Sequence, residues 1–213
     1  MWDFISERRD QILYNTFQHA NLVIQCVLVA TVIAVLLAVV IVGSPKLQAV
    51  ANTLSAIGLT IPSFALVGLL LPLTSIGTIT AFIAVTFYAV LPILRNAVVG
   101  LKQVDPTLLE SARGMGMGRL GVLWRVQIPL AWPVILAGVR VSMQMSMGVA
   151  AIAAYVLGPG LGGYIFKGLA QIGGANAVNY AVVGTVGIVI VALLADALLL
   201  LLGRLTISKG IRV

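Results

Sequence analysis

The sequence predicts an all-α integral membrane protein with about five transmembrane helices and one polar cytoplasmic loop. Three observations carry this. The chain of 213 residues is 61% hydrophobic and only 9% charged, against about 25% charged residues in a soluble domain. Uncharged apolar runs recur at lengths near the roughly 20 residues that a helix needs to cross a bilayer. Between two such runs lies a single stretch, Leu101 to Pro129, that gathers Lys102, Asp105, Glu110, Arg113, Arg119 and Arg125.

Composition narrows the function. Residues 1–213 read as one transmembrane domain, with no room for a soluble catalytic domain. Cys26 and His19 are the only residues of their kinds, which excludes a disulfide framework, a thiolate cluster and a His-rich metal site. No bound cofactor is expected. The net charge of +7 is scattered between apolar runs, so topology explains it and a nucleic-acid partner does not.

In chain order, residues 1–18 carry Arg8 and Arg9 among Trp2, Phe4, Ile5, Ile12, Leu13 and Phe17, the pattern of an amphipathic helix on the membrane surface. A signal peptide is the alternative, but the apolar run that follows is too long and no small-residue cleavage site ends it. The first span runs from Ala20 to Pro45. No charge occurs from Leu47 to Leu94. That length holds two spans, about Val50 to Leu71 and Thr78 to Leu94, turning at Pro72 to Gly77. The fourth span covers about Trp132 to Leu157, and the fifth about Val178 to Leu202. The Gly-rich segment between them is too short to cross twice.

Orientation follows from Lys and Arg. One side receives Lys46, Arg95, Lys102, Arg113, Arg119, Arg125, Arg204, Lys209 and Arg212, and the other only Arg8, Arg9 and Lys167. The polar loop and C-terminus are therefore expected in the cytoplasm and the N-terminus outside. Trp124 and Trp132 fall where a cytoplasmic aromatic belt belongs.

Within the polar loop, Asp105-Pro106 predicts a helix start, since Asp caps well and Pro at the first position leaves no N–H unsatisfied. The helix should reach about Met115, with Leu108, Ala112 and Met115 on one face and Glu110 and Arg113 on another. Gly114, Gly116 and Gly118 permit a sharp break. A second short helix, Arg119 to Val126, should lead through Pro129 into the fourth span.

Glu110-Ser111-Ala112, then Arg113 and Gly116, then Val126-Gln127-Ile128-Pro129, resemble the EAA motif of ABC importer permeases. Ser111 stands for the middle Ala and Ile128 for Leu. Further stretches resemble one branch, the glycine betaine, carnitine and choline (osmoprotectant) permeases. They are TIPSFALVGLLLPL (60–73), FYAVLPILRNAVVGLKQVDPTLLESARGMGM (87–117) and AAIAAYVLGPGLGGYIFKGLAQIG (150–173), about a third of the chain. The resemblance implies the ABC importer permease fold, a bacterial plasma (inner) membrane location, and a coupling loop over residues 102–129. In that reading Glu110, Ser111, Ala112, Arg113, Gly116 and Pro129 meet a cytoplasmic dimer of ATP-binding subunits, which uses ATP and Mg. It also implies a second permease subunit, identical or paralogous, and an extracytoplasmic substrate-binding protein.

Other patterns are declined. Gly116-x-Gly118-x-x-Gly121 and Gly158-x-Gly160-x-x-Gly163 match GxGxxG, but neither follows a predicted strand, as a dinucleotide fingerprint requires. No Walker A sequence occurs, so the chain is not read as an enzyme. Arg140 and Asp196 are the ionisable residues within spans, where charge is costly. Arg140 lies eight residues after Trp132 and Asp196 eight before Arg204, placing both at a depth of roughly 12 Å. They form an intramembrane pair, or else each snorkels or caps a carbonyl. A proton relay lacks a third group. Phe64, Phe82, Phe87, Tyr88 and Tyr155 lie in or near spans, but aromatics in apolar helices are usually packing, and no cage for a quaternary ammonium ligand is assigned. Pro62, Pro92 and Gly68 mark kinks or a loosened pathway. Rival functions are a permease for another solute such as an amino acid, an intramembrane enzyme, or a structural membrane subunit.

Overall fold

A computed structural model describes residues 1–208 and Gly210. Lys209 and Arg212, two of the cations counted on the cytoplasmic side, lie outside the described residues. Every regular element among the described residues is helical. A short α1 (Trp2–Glu7) is followed by α2 (Arg9–Ile41), α3 (Pro45–Thr60), α4 (Ser63–Thr74) and α5 (Thr78–Gln103). Next come α6 (Pro106–Gly114), α7 (Arg119–Val122), a π-helical turn (Leu123–Gln127) and α8 (Ile128–Ala153). A 3-10 turn (Ala154–Val156), α9 (Gly162–Ala170) and α10 (Ala177–Thr206) complete the chain.

Four helical segments are long and apolar enough to cross a membrane: α2, α5, Arg119–Val156 and α10. The α3–α4 pair adds a fifth if its two limbs count as one span. Its limbs are bent by 95°, far sharper than a kink at Pro62 within one span from about Val50 to Leu71. The cause is local. Ile61 precedes Pro62 and sits in extended backbone, φ −64° and ψ 125°, the conformation toward which a proline biases the residue before it. The Tyr88 hydroxyl donates to the Ile61 carbonyl that the break frees. Pro72, read as part of a turn, lies inside α4. The turn follows it at Ser75 (φ 65°) and Gly77 (φ 139°).

The N-terminal segment also differs from expectation. The helix breaks at Arg8 (φ −115°, ψ 15°) and not near residue 18, so residues 9–18 are the beginning of the first long helix. Nothing between Arg9 and Val42 is Gly or Pro, and a helix begun there has no reason to stop. The α1 segment is held by Phe4, which is buried against Tyr180 in an edge-on contact of 4.7 Å. Arg8 covers the Phe4 ring at 4.5 Å and donates from Nε to the Tyr180 hydroxyl at 3.3 Å.

The core is built around α5. Of its most apolar stretch 61% is buried, against 11% for α10, and its main partners are α8 and α2. Small residues let these helices close up: Ala81, Ala84, Ala89 and Ala97 on α5 meet Ala30, Ala34 and Ala38 on α2 and Ala131, Ala150 and Ala153 on α8 in one buried cluster. A Cβ at Gly138 of α8 would stand 2.6 Å from the Asn96 Cβ of α5. Ser142 adds a buried hydrogen bond from Oγ to the Ala89 carbonyl at 2.7 Å. The α8–α9 connection is equally close, since a Cβ on Gly162 would run into the backbone of Ala151.

Candidate coupling element and membrane charge pair

The α6 helix begins as its sequence dictates. Asp105 Oδ1 accepts from the Thr107 backbone N–H at 2.8 Å, and Pro106 takes the first position. That hydrogen bond holds the Asp105 carboxyl below the usual carboxylate range. The end is a Schellman closure. The Met117 N–H donates to the Ala112 carbonyl at 3.1 Å, and the Gly116 N–H to the Arg113 carbonyl at 2.9 Å. Between those two bonds Gly116 turns through φ +86°, left-handed backbone that an L side chain resists. Of the three glycines read as a break, this is the one the backbone demands. Gly114 is still helical, and Gly118 is an ordinary extended N-cap of α7.

The face that α6 buries is not the expected one. Ala112 is 2% exposed, but Leu108 and Met115 are open at 48% and 73%. Leu109, three residues before Ala112, is the leucine that packs partly against the core. The helix rests on α7 and the π-helical turn. Glu110, Ser111, Arg113 and Gly116 are left exposed, with the Ser111 hydroxyl turned back onto the Thr107 carbonyl at 2.8 Å.

The second helix of the loop is not a separate unit. From Arg119 the chain runs through the π-helical turn into α8 as one segment reaching Val156. With α5 extending to Gln103, the part of the loop outside these long helices is residues 104–118. Pro129 sits in the first turn of α8. It has no N–H for the Arg125 carbonyl, and the widened turn before it absorbs the ring that would otherwise clash there. Gln127 Nε2 donates to the Leu101 carbonyl at 3.2 Å, tying that turn to the end of α5.

Arg140 and Asp196 are brought together. Nε donates to Oδ1 at 2.9 Å and an Nη to Oδ2 at 3.0 Å, the two-pronged geometry that suits guanidinium and carboxylate. They join α8 to α10 at the edge of a groove of about 790 Å³ whose walls include Pro133, Leu136, Leu200 and Gly203. The same two helices are tied nearer their loop-side ends, where Trp132 Nε1 donates to Thr206 Oγ1 at 2.8 Å.

Three features escaped the sequence. His19 is fully buried, with Gly160 packed onto it so closely that a Cβ there would lie 2.7 Å from Nδ1. Phe4, Arg8, Lys167 and Tyr180 form a cation–aromatic cluster. Phe64, Tyr155 and Phe166 meet in a third aromatic contact group. Cation–aromatic pairing has no sequence spacing to betray it when the partners lie far apart in the chain. Among the described residues, no group of three or more His, Cys, Asp or Glu is placed to hold a metal ion.

The bundle thus holds a capped helix between its two best-packed spans, as expected of a transport permease from the motif resemblance. The family described as binding-protein-dependent transport system inner membrane component matches residues 21–207, and this chain is a member of it. It is 35% identical over 212 residues to the glycine betaine/carnitine/choline transport system permease protein OpuCB of Bacillus subtilis (strain 168), covering 100% of this chain and 96% of that relative. It is 39% identical over 202 residues to the osmoprotectant import permease protein OsmW of Salmonella typhimurium, covering 92% of each. Its fold resembles a subunit of the inward-facing MetNI methionine ABC transporter with a TM-score of 0.74 at 19% identity, over 95% of this chain and 96% of that one.

Proposed function

We propose that this chain is the membrane-spanning subunit of an ATP-driven importer for quaternary-ammonium osmoprotectants such as glycine betaine, carnitine or choline. It lines the pathway with a second permease subunit and accepts substrate from an extracytoplasmic binding protein. A cytoplasmic dimer of ATP-binding subunits, using ATP and Mg, supplies the energy. The protein lies in the bacterial plasma membrane with its N-terminus outside and its C-terminus in the cytoplasm, an orientation favoured by the distribution of Lys and Arg. The substrate class is supported by the names of relatives that align along nearly the whole chain, a glycine betaine/carnitine/choline permease and an osmoprotectant import permease.

The observation that carries the coupling role is the two-sided character of α6. Ala112 and Leu109 anchor it from beneath, and Glu110 and Arg113 stand free above, as a docking helix needs. Ala112 and Pro129 act in this scheme by holding the element in place, and Gly116 by closing it.

Uptake of labelled glycine betaine, choline and carnitine by membranes bearing the whole complex, with cross-competition among the three, tests the substrate class. Uptake of an amino acid that none of the three displaces would overturn it. Glu110→Lys should strip the ATP-binding subunits from the purified permease and lower uptake in step, and full retention with normal uptake would remove α6 from the contact.

A further inference from the structure

At the end of the bundle remote from α6, three rings from three distant parts of the chain meet. Phe64 opens α4 just beyond the Ile61–Pro62 bend, Tyr155 lies in the 3-10 turn after α8, and Phe166 lies in α9. The Phe64 and Tyr155 centroids are 4.9 Å apart at 54°, and those of Tyr155 and Phe166 are 5.3 Å apart at 61°. Along the axis of α8, Tyr155 stands roughly 40 Å from Ile128, at 1.5 Å per residue. Phe64 and Tyr155 are tilted and Tyr155 and Phe166 meet edge-on, so no two of the rings are stacked face to face. Tyr155 is 59% and Phe64 51% exposed.

The Phe4–Tyr180 group shows what such faces take up. Around Phe4 and Tyr180 the places over the rings are filled by the protein's own cations: the Arg8 guanidinium 4.5 Å from the Phe4 centroid and the Lys167 ammonium 4.5 Å from the Tyr180 centroid. Over Phe64, Tyr155 and Phe166, no Lys or Arg among the described residues stands in that way. An interfacial aromatic belt would account for exposed rings, but a belt does not require residues from α4, the 3-10 turn and α9 to converge into contact. A trimethylammonium group has no N–H to donate, so ring faces are the natural means of holding it. A site without a carboxylate would also let it go, as passage requires.

We propose that Phe64, Tyr155 and Phe166 form a transient binding station for the quaternary ammonium group of the transported substrate, near the end of the bundle opposite the coupling helix. The proposal rests on the importer reading given above. It is tested in the complete complex, with its ATP-binding subunits and binding protein, reconstituted in liposomes and supplied with labelled choline and glycine betaine. Tyr155→Leu and Phe64→Leu should each lower the uptake rate at saturating substrate by about 2- to 30-fold, the range of one cation–aromatic contact. Tyr155→Trp, which keeps an aromatic face, should keep uptake near the wild-type rate. If both leucine variants take up substrate at the wild-type rate, or if Tyr155→Trp fails as badly as Tyr155→Leu, the station is overturned while the importer reading stands. If Tyr155→Leu does not assemble, Phe64→Leu alone decides. A wild-type complex that takes up neither compound overturns the importer reading and the station with it.

Discussion

The Arg140–Asp196 pair offers the sharpest test of how α8 and α10 are joined. Removing one partner leaves the other charge inside a span, where an unpaired Arg or Asp costs about 2.5–3.5 kcal/mol at the bilayer centre. Both side chains retain some exposure, 34% and 18%, and a groove opens beside them. The expected destabilisation by Asp196→Leu or Arg140→Leu is therefore smaller, about 1–3 kcal/mol, between a surface ion pair and a fully buried one. Replacing both by leucine removes both charges and should bring stability back to within about 1 kcal/mol of wild type. The singles together cost about 2–6 kcal/mol and the double no more than about 1, so the cycle gives a coupling energy of about 1–6 kcal/mol.

Equilibrium unfolding of the purified permease in mixed lipid–detergent micelles, for wild type, both singles and the double, measures that energy directly. The charge swap Arg140→Asp with Asp196→Arg gives an independent reading, because it should recover much of what either single reversal loses. Additivity within about 0.5 kcal/mol, together with a swap no better than its singles, would refute a direct pair. The register makes that outcome unexpected. Trp132 bonds Thr206, a Cβ on Gly203 would lie 3.0 Å from Leu136 Cδ2, and Arg140 bonds Asp196, so three contacts follow one antiparallel alignment of the two helices.

Three further outcomes are expected. Gly116→Ala forces an L residue into left-handed backbone at a cost of roughly 1–2 kcal/mol, whereas Gly114→Ala, with ordinary helical backbone and nothing within 4 Å of an added Cβ, should be neutral; retention of the ATP-binding subunits by the two variants makes the comparison. The Asp105 cap titrates with a depressed carboxyl, so its contribution is full above the unfolded-state value and is lost only as pH falls through the lower folded value; amide protection factors across α6, which remove the intrinsic pH dependence of exchange, should be flat from neutral to mildly acidic pH, Asp105→Asn should preserve the helix, and Asp105→Ala should loosen it at every pH. A disulfide joining Ala89→Cys to Ser142→Cys, in a Cys26→Ala background, should leave uptake unimpaired; uptake lost on oxidation and recovered on reduction would mean that α5 and α8 move apart during transport.

What could be read from sequence was chemistry confined to neighbouring residues or fixed by distance along a helix. Asp105-Pro106 announces a helix start because cap and proline act on the same turn. Arg140 and Asp196 share a depth because each is counted from a residue at the same face. The missing parts depend on tertiary contact. Pro62 was visible as a possible kink, but a uniformly apolar run from Leu47 to Leu94 gives no polar mark where a helix bends by 95°. The buried face of α6 passes through Leu109 and not Leu108, since α7 and the π-helical turn decide which side is covered. Pro129 looked like a boundary, yet the widened turn before it keeps residues 119–156 continuous. The meeting of Phe64, Tyr155 and Phe166 joins three elements that no local pattern links.

These contacts also bear on how a push on α6 would spread. The helix hangs between the end of α5 and the beginning of the 119–156 rod, and Gln127 fastens those two supports together at Leu101. Further along, Gly138 against Asn96 and Ser142 on the Ala89 carbonyl leave no slack between α5 and α8. A force on Glu110 or Arg113 is therefore delivered to α5 and α8 as one body, because close-packed interfaces shift as units and do not stretch. Relative motion must then fall to the elements outside that body: the α3–α4 bend, where the helix is already broken, and α10, which buries little of its surface and meets α8 through side chains, Trp132 with Thr206, Leu136 against Gly203 and Arg140 with Asp196. The aromatic group stands where the bent limb meets the rigid body, with Phe64 on α4 and Tyr155 at the far end of the rod. A displacement of α4 against α8 changes the spacing of those two rings, and with it their hold on a cation.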